Sequence, residues 1–186
     1  MKNALKTLAL CSALAASTAA LADADQTKLY DPMTAKEKVV INIDLLSKDG
    51  NIAVGRVVAV NTPFGVALYP NLKGLTPGMH GFHVHQNPDC GMTDDGLGMK
   101  AGGHWDPEKK GVHSFPWDKN GHKGDLPGLF VAADGTAVMP VLAPKLKSVN
   151  ELKGHSLMIH VGGDNYHDHP AKLGGGGARM ACGIIK

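Results

Sequence analysis

After residue 38, the apolar residues of this chain come in short runs of strand length, and this pattern restricts the fold more than any other feature of the sequence. Side chains alternate between apolar and polar from Ile41 to Leu45, which is the period of a strand with one buried face. The predicted strands are residues 39–46, 52–60, 66–69, 81–85, 129–132, 136–142, 156–161 and 180–185. Seven or eight short strands separated by turn residues predict an all-β fold, an antiparallel sandwich or barrel.

The turn between two of these strands carries a specific signal. Asp134 and Gly135 stand between residues 129–132 and 136–142. An Asp-Gly pair flanked by strand-like segments is typical of a tight β-hairpin. We therefore expect these two strands to pair with each other.

Two long stretches interrupt the strand pattern. Residues 86–128 and residues 162–178 show no strand period, and evidence for helices is thin throughout the chain after residue 22. Structureless loops of this length are uncommon in a compact domain unless a function or a cross-link orders them. Both stretches contain histidine or aspartate. We expect the loops to form the functional site and the sheet to support it.

The charge of the 186-residue chain is nearly balanced. Lys and Arg number 19 against 17 Asp and Glu, which gives a formal net charge of +2, and Lys2 and Lys6 account for the excess. This balance excludes a strongly basic nucleic-acid-binding protein, so no nucleic-acid partner is expected. The unusual component is histidine, at 10 residues. Because histidine is the commonest metal ligand, composition points to metal or proton chemistry.

The first 22 residues have the pattern of a secretory signal peptide. Lys2 and Lys6 form a charged start, residues 8–16 are apolar, and residues 20–22 form a small-residue cleavage site. A membrane anchor is the alternative, but hydroxyl residues interrupt this run and it is short for crossing a bilayer. We expect residues 1–22 to be removed and residues 23–186 to form one exported domain without a membrane anchor.

Export would leave two cysteines in the mature chain. Cys11 would be lost with the signal, and Cys90 and Cys182 would remain. A disulfide is the expected state in an oxidising compartment, and two free buried thiols are the weaker alternative. Closing so long a loop would stabilise the fold by about 4–5 kcal/mol in the chain-entropy model.

Histidines on predicted strands supply one part of a candidate metal site. His83 and His85 lie two positions apart on a strand, so their rings share a face, although an isolated pair of this kind is a weak signal. His160 near the end of another strand could join them, and Asp164 could accept a ring N–H from one ligand. Read alone, His160 would be an ordinary core histidine.

The first long loop supplies a second part. It offers three imidazoles and a carboxylate, a complete tetrahedral zinc set that could order a loop lacking a core of its own. These residues are His104, His113, His122 and Asp125. Solvated loop histidines are the alternative, and three of them in regular spacing make that interpretation the less favoured one.

Three segments together resemble copper/zinc superoxide dismutase. They are GFHVH at 81–85, GGHWDP at 102–107 and GGGGARMACG at 174–183. The resemblance covers about residues 38–185, and the export signal and the long spacer between Cys90 and His104 resemble the bacterial periplasmic branch. It implies an eight-stranded Greek-key β-barrel in the periplasm, with one copper and one zinc ion per subunit, that converts superoxide into dioxygen and hydrogen peroxide.

The resemblance also implies a role for each matching residue. Copper would be held by His83, His85, His104 and His160. Zinc would be held by His104, His113, His122 and Asp125. His104 would bridge the two metals as an imidazolate, and Asp164 would hydrogen-bond one histidine of each site, His83 and His113. Arg179 would orient the anionic substrate beside the copper, and Cys90 would pair with Cys182.

Two other functions compete with this interpretation. An exported copper- and zinc-binding protein without turnover would need the metal ligands but not Arg179. A zinc hydrolase would need an open zinc position and a general base, and the H-E-x-x-H motif that often supplies them does not occur in the sequence.

The remaining expectations concern oligomeric state, substrate steering and three further histidines. We expect a homodimer, although both monomers and dimers occur in the bacterial branch that the chain resembles. Lys100 is a candidate for steering the anionic substrate, and an ordinary solvated lysine is the alternative. We interpret His155, His167 and His169 as solvated residues near the second long loop.

Overall fold

A computed structural model describes residues 30–186 of the protein. The predicted signal peptide at residues 1–22 lies outside the described residues. Within residues 30–186, none of the helices has the length and apolar character needed to cross a bilayer. These helices are short 3₁₀ turns, at Pro32–Thr34, Met99–Ala101, Val149–Leu152 and Lys172–Gly175.

The described part of the chain contains nine strands, which form two antiparallel sheets. The strands are β1 Lys38–Leu45, β2 Ile52–Thr62, β3 Gly65–Leu72, β4 Gly78–His80, β5 Phe82–His85, β6 Leu129–Val131, β7 Val141–Ala143, β8 Ser156–His160 and β9 Arg179–Ile184. Seven strands form a curled sheet in the order β5-β8-β9-β1-β2-β3-β7, and β4 pairs with β6. The all-β prediction is confirmed, with β4 as a short strand that the apolar pattern did not predict.

One apolar core fills the inside of the curled sheet. Along β1, Ile41 and Ile43 are fully buried while Asn42 between them is exposed, as the alternating pattern predicts. Phe82 on β5 and Leu157 on β8 pack into the same cluster. Burial of each large side chain contributes about 1.5–3 kcal/mol, so this core supplies the main driving force for the fold.

The predicted hairpin at residues 129–142 is wrong as a pair of strands, although its turn forms. The Gly135 N–H donates to the carbonyl of Ala132, and the Ala132 N–H donates to the carbonyl of Thr136. Beyond the turn the segments separate, because β6 pairs with β4 and β7 pairs with β3. Pairing with distant strands therefore outweighs the local preference of the Asp-Gly turn.

Strand β3 continues past Pro70, whereas the strand predicted here from the sequence ended at residue 69. Pro70 pairs with Val57 of β2 on one side. On the other side, β7 pairs only with residues 66–68 of β3, so no neighbour requires the missing N–H of Pro70. A proline is tolerated in a strand where its nitrogen faces no hydrogen-bond acceptor of the sheet.

The first long loop folds back onto the free edge of β5. The Trp105 N–H donates to the carbonyl of Val84, and the Val84 N–H donates to the carbonyl of Gly124. A side chain at Gly124 would place a Cβ 2.2 Å from the Val84 carbonyl oxygen, so only glycine allows this approach. The docked loop brings His104 opposite His85 and Asp125 opposite His83.

A disulfide joins the same loop to β9. Cys90 and Cys182 are bonded, as predicted, across 92 positions of sequence. Cys182 is buried on β9, beside Leu46 and Met158. The loop is therefore attached to the sheet at two places, by the backbone bonds to β5 and by this covalent bond.

Candidate metal centre

Strands β5 and β8 place three histidines on one face of the sheet. Phe82 belongs to the apolar core, and alternation along β5 directs its neighbours His83 and His85 to the opposite face. His160 ends the adjacent strand β8, where its backbone N–H donates to the carbonyl of Gly81 at 2.8 Å. All three rings are buried, so the sheet presents a rigid cluster of imidazoles without solvent around it.

The docked loop completes two groups of candidate ligands. The four-histidine group contains His83, His85, His104 and His160. The aspartate group contains His104, His113, His122 and Asp125. Within each group every residue is buried and offers a ligand atom within 4.8 Å of the others. The structure thus brings together all seven residues that the sequence analysis named as metal ligands.

Hydrogen bonds leave one ring nitrogen of each strand histidine available to the four-histidine group. Nδ1 of His85 contacts the carbonyl of Gly102 at 2.9 Å, and Nδ1 of His160 contacts the carbonyl of Gly177 at 3.1 Å. Their Nε2 atoms face each other at 3.2 Å. The carbonyl contacts fix the N–H on Nδ1 of each ring, which leaves Nε2 as an acceptor for a metal ion.

Two further nitrogens of the four-histidine group are buried without a partner. Nδ1 of His83 and Nε2 of His104 make no hydrogen bond to any described residue. Leaving a buried polar atom unpaired costs free energy, so such atoms in a native structure call for a ligand. Together with Nε2 of His85 and His160 they form a set of four imidazole nitrogens, which suits copper.

The aspartate group converges on one carboxylate oxygen. Three Nδ1 atoms lie 2.9–3.2 Å from Oδ1 of Asp125, and they belong to His104, His113 and His122. A carboxylate oxygen has about two lone-pair directions, so three ring nitrogens directed at one oxygen exceed what hydrogen bonding alone requires. Three nitrogens and one oxygen in a buried cluster fit the four-coordinate preference of zinc.

His104 belongs to both groups through its two different nitrogens. Nδ1 contacts Asp125 in the aspartate group at 3.0 Å, whereas Nε2 is the unpaired atom of the four-histidine group. Its ring lies stacked on His83, with 3.9 Å between the ring centroids. A single imidazole is therefore placed between two potential ion sites.

Asp164 connects the two groups a second time. Its Oδ2 accepts a hydrogen bond from Nε2 of His83 at 2.7 Å, and its Oδ1 contacts Nε2 of His113 at 2.8 Å. The Tyr166 N–H also donates to Oδ1, at 2.7 Å. Because each ring uses Nε2 for Asp164, both rings keep Nδ1 for a metal ion.

Burial keeps the four-histidine group neutral. It lowers the pKa of His83 and of His85 well below the ordinary histidine value, and the nearby His104 lowers both further. Burial likewise lowers the pKa of His160 to about 4. Neutral imidazoles are the form that binds metal ions, so these rings are ready for coordination at neutral pH.

The carboxylates of the site are held in the charged form. Burial acts to raise the pKa of Asp125, but hydrogen bonds from His104, His113 and His122 outweigh it and hold that pKa well below the usual range. Burial also acts to lower the pKa of His113, yet its bonds to Asp125 and Asp164 raise that pKa to about 9. Metal-free, the aspartate group therefore holds a proton that a bound cation would replace.

Arg179 lies at the first residue of β9, opposite His160 in the β8–β9 pairing. Its guanidinium donates to the carbonyls of Gly98 at 2.5 Å and Gly102 at 2.6 Å. Gly98 has a φ of +68°, and a Cβ there would lie 3.3 Å from the Cδ of Arg179, so glycine makes this approach possible. The loop thus holds a half-buried positive charge next to the four-histidine group.

Other residues named from the sequence lie outside both groups. Lys100 is exposed in the short helix between Gly98 and Gly102. Nδ1 of His155 contacts the carbonyl of Gln86, and its ring lies tilted against the ring of Trp105, with 4.3 Å between centroids. The exposed His167 and His169 lie in the second long loop; their ring centroids are 5.5 Å apart.

Two residues near the ligands were missed in the sequence. Asp168 accepts a hydrogen bond from the backbone N–H of His113 at 2.9 Å, and Lys145 lies with its ammonium 3.9 Å from Asp125. Both act on loop segments far away in the chain. Spacing could not reveal them, because neither belongs to a local motif with the residue it contacts.

Known proteins match this chain over most of its length. Residues 49–185 match the family described as copper/zinc superoxide dismutase (SODC). The chain is 51% identical over 188 residues to a Cu-Zn superoxide dismutase of Actinobacillus pleuropneumoniae, a match that covers 98% of this chain and 99% of that protein. It is 59% identical over 147 residues to Cu-Zn superoxide dismutase 1 of Salmonella typhimurium, which covers 77% of this chain and 83% of that protein.

Solved structures agree with the sequence matches. Cu/Zn superoxide dismutase from Brucella abortus has a TM-score of 0.77 and 46% identity, covering 81% of this chain and 100% of that one. The monomeric copper, zinc superoxide dismutase from Salmonella enterica has a TM-score of 0.70 and 47% identity, covering 80% of this chain and 99% of that one. The resemblance drawn from the sequence motifs is confirmed, and the chain belongs to the copper/zinc superoxide dismutase family.

Proposed function

We propose that this protein is a superoxide dismutase, which converts two superoxide anions and two protons into dioxygen and hydrogen peroxide. The observation that carries the proposal is the position of His104, whose two nitrogens face two different ligand groups. A site that only stored metal ions would need neither this sharing nor a guanidinium held beside the four-histidine group. The family match supports the same activity.

The two ligand groups differ in the ion they suit. Four imidazoles favour copper, which tops the affinity order for nitrogen ligands, so we assign copper to His83, His85, His104 and His160. Three imidazoles and a carboxylate form a closed zinc set, so we assign zinc to His104, His113, His122 and Asp125. Copper supplies a one-electron redox couple when bound, and zinc supplies a fixed positive charge without redox chemistry.

The protein's own residues hold the substrate and supply a proton. Arg179 presents a fixed positive charge that attracts the superoxide anion and orients it by hydrogen bonding. Nε2 of His104 belongs to the four-histidine group, so when it is not bound to copper this atom would be able to hold a proton and pass it to the forming peroxide. Asp125 and Asp164 keep the surrounding rings in the tautomers that these roles require.

The deciding measurement is superoxide consumption by purified residues 23–186, with and without copper. Turnover that depends on copper supports the dismutase, and no turnover by the fully metal-loaded protein would contradict it. Arg179→Glu separates catalysis from storage. We expect it to reduce kcat/KM about tenfold or more, because it reverses the charge that attracts the substrate, while copper and zinc contents stay at wild-type levels. Equal losses of turnover and metal would favour an exported metal-binding protein.

We also propose that residues 1–22 are a signal peptide and that residues 23–186 act in the periplasm. The charged start, apolar segment and small-residue site of the sequence support the proposal, and so does the disulfide, which persists in oxidising compartments. The N-terminal residue of the protein isolated from a periplasmic extract tests it. Asp23 is expected, and a mature chain that retains Met1 would contradict the proposal.

A homodimer is proposed as the working form, and an exposed apolar surface supports it. Trp117 stacks on Phe115 and Phe115 stacks on Tyr166, with centroid distances of 5.0 and 5.1 Å, and we call these three residues the aromatic row. The hydroxyl of Tyr166 accepts a hydrogen bond from the N–H of Gly128, in an apolar recess. The recess is lined by Met79, Gly128, Phe130, Met139 and Val141. Exposed apolar side chains gathered in this way are typical of an interface.

A further inference from the structure

Lys145 follows β7 and directs its ammonium into the first long loop. Its side chain is only 13% exposed. Nζ makes a close hydrogen bond to the carbonyl of His122 and a longer one, at 3.5 Å, to the carbonyl of Phe115. A lysine at the end of the sheet therefore holds two backbone carbonyls of the loop, one of them on a residue assigned to zinc.

The same ammonium lies behind Asp125. The two oxygens of this carboxylate have separate environments, since Oδ1 faces the three imidazoles of the aspartate group and Oδ2 faces away. Oδ2 accepts a hydrogen bond from the backbone N–H of Ser114 at 3.1 Å and lies 3.9 Å from Nζ of Lys145. A Cβ at Gly121 would lie 3.1 Å from Oδ2, so the space on this side is nearly filled.

A carboxylate can bind a metal ion through one oxygen or through both, and its surroundings decide which. Oδ2 of Asp125 is already paired with an N–H and faces a cation, so turning it toward the ion would break the N–H bond and separate the half-buried ammonium of Lys145 from a carboxylate that stabilises its charge. We propose that Lys145 is a positioning residue that keeps Asp125 a one-oxygen ligand and thereby makes the aspartate group selective for a four-coordinate ion. The inference rests on the proposed assignment of zinc to this group.

Electrostatic repulsion alone predicts that Lys145 weakens zinc binding, whereas the proposed positioning role predicts that Lys145 strengthens it. A positive side chain near a divalent cation repels it, so removal of the ammonium would tighten metal binding if electrostatics dominated. Removal would loosen metal binding if the ammonium acts by holding Asp125 and the loop carbonyls. The direction of the change therefore distinguishes the two roles.

The experiment compares Lys145→Met with Lys147→Met in the copper- and zinc-loaded protein. Lys147 is a matched control, because its Nζ donates to the carbonyl of Pro144 instead of to a carbonyl of the long loop. Transfer of zinc to a chelator is followed over time. K145M should release zinc about 10- to 100-fold faster than wild type, the usual cost of losing a residue that supports a ligand, and K147M should match wild type.

A second measurement reports the geometry around the ion. Four-coordinate Co²⁺ absorbs visible light much more strongly than Co²⁺ with five or six ligands, so Co²⁺ in place of zinc shows how many oxygens Asp125 supplies. K145M should weaken this absorption, and Lys145→Arg, which keeps the charge and the donors, should restore both absorption and zinc retention. Should K145M fail to fold, Lys145→Gln, which keeps a donor but not the charge, replaces it in both measurements.

Each outcome decides one of the two questions. A wild-type protein that does not retain zinc would overturn the zinc assignment itself. A wild-type protein that retains zinc, together with a K145M variant whose zinc release and Co²⁺ spectrum match those of K147M, would overturn the role of Lys145 alone. Slower zinc release in K145M would also overturn it, because repulsion would then be the main effect.

Discussion

Two charged side chains near the histidine groups, Asp125 and Arg179, are each held in one direction by backbone groups. Asp125 directs one oxygen to three imidazoles and the other to a backbone N–H, and Arg179 is held by two carbonyls of the loop that it faces. In both cases the groups behind the side chain fix its direction. Such supporting contacts are what keep a buried charge in one orientation.

The identity of the candidate ligands could be predicted from sequence, and their supports could not. His83 and His85 share a face because a strand has a period of two, a rule that holds before any tertiary structure is known. Lys145 gives no such signal, because it differs from the neighbouring Lys147 only in what the folded chain brings near it. A local period therefore reveals the strand ligands, whereas a supporting residue such as Lys145 is visible only in the folded chain.

At the scale of single residues, we predict that Lys100 helps to attract the anionic substrate. It is exposed between the two glycines whose carbonyls hold Arg179, so its charge can add to the attraction of an anion. Lys100→Glu should lower kcat/KM about two- to tenfold at low ionic strength, with a difference that shrinks as salt screens the charges. Stopped-flow measurement of superoxide decay across ionic strengths checks this.

A control variant shows whether the effect depends on the position of Lys100 or only on the net charge of the protein. Lys48→Glu makes the same change of charge in the exposed β1–β2 turn and should leave kcat/KM and its salt dependence nearly unchanged. Equal behaviour of the two variants would show that Lys100 contributes only to the overall charge.

Local sequence patterns predict the strands and turns of this fold except where pairing with a strand distant in sequence is more favourable. The Asp-Gly turn after β6 forms as predicted, but the strands on either side join β4 and β3 instead of each other. Pro70 remains in β3 because its neighbouring strand ends before reaching it. Neither outcome could be predicted from the segments themselves, since each depends on which strand lies beside them in the folded sheet.

At the scale of strands and loops, we predict that the disulfide between Cys90 and Cys182 stabilises the fold. Cys90→Ala combined with Cys182→Ala should lower the free energy of unfolding by about 4 kcal/mol, because the unfolded chain regains the freedom of a long loop. Urea unfolding of the two oxidised proteins measures the difference. A reducing agent should lower the stability of wild type and leave the double variant unchanged, and a double variant as stable as oxidised wild type would contradict the prediction.

At the scale of the whole molecule, one face of the sheet is buried in the apolar core, and the loops cover the side that carries the histidine groups. The aromatic row and the apolar recess stay exposed. Trp117 is 68% exposed, Met139 58% and Met79 53%. Apolar side chains this exposed gain stability when a second copy covers them. The surface is assembled from segments far apart in sequence, so no local pattern could have predicted it.

Oligomeric state tests this surface. The wild-type protein should sediment as a dimer, and Phe130→Asp should sediment as a monomer, because a carboxylate would replace part of the lining of the apolar recess. Phe64→Asp is the control, since Phe64 is 76% exposed at the β2–β3 turn and does not line the recess. A monomeric wild-type protein in analytical ultracentrifugation would rule out the dimer, and a dimeric F130D would place the interface elsewhere.

The carboxylate of Asp164 has a consequence for how the protein matures. One of its oxygens is bonded to His83 and the other to His113, so a shift of this carboxylate on binding of one ion would reach a ring of the other group. By thermodynamic reciprocity, any effect of one ion on the affinity for the other is returned by the same factor, whichever comes first. Copper and zinc loading would then depend on each other instead of proceeding as two separate equilibria.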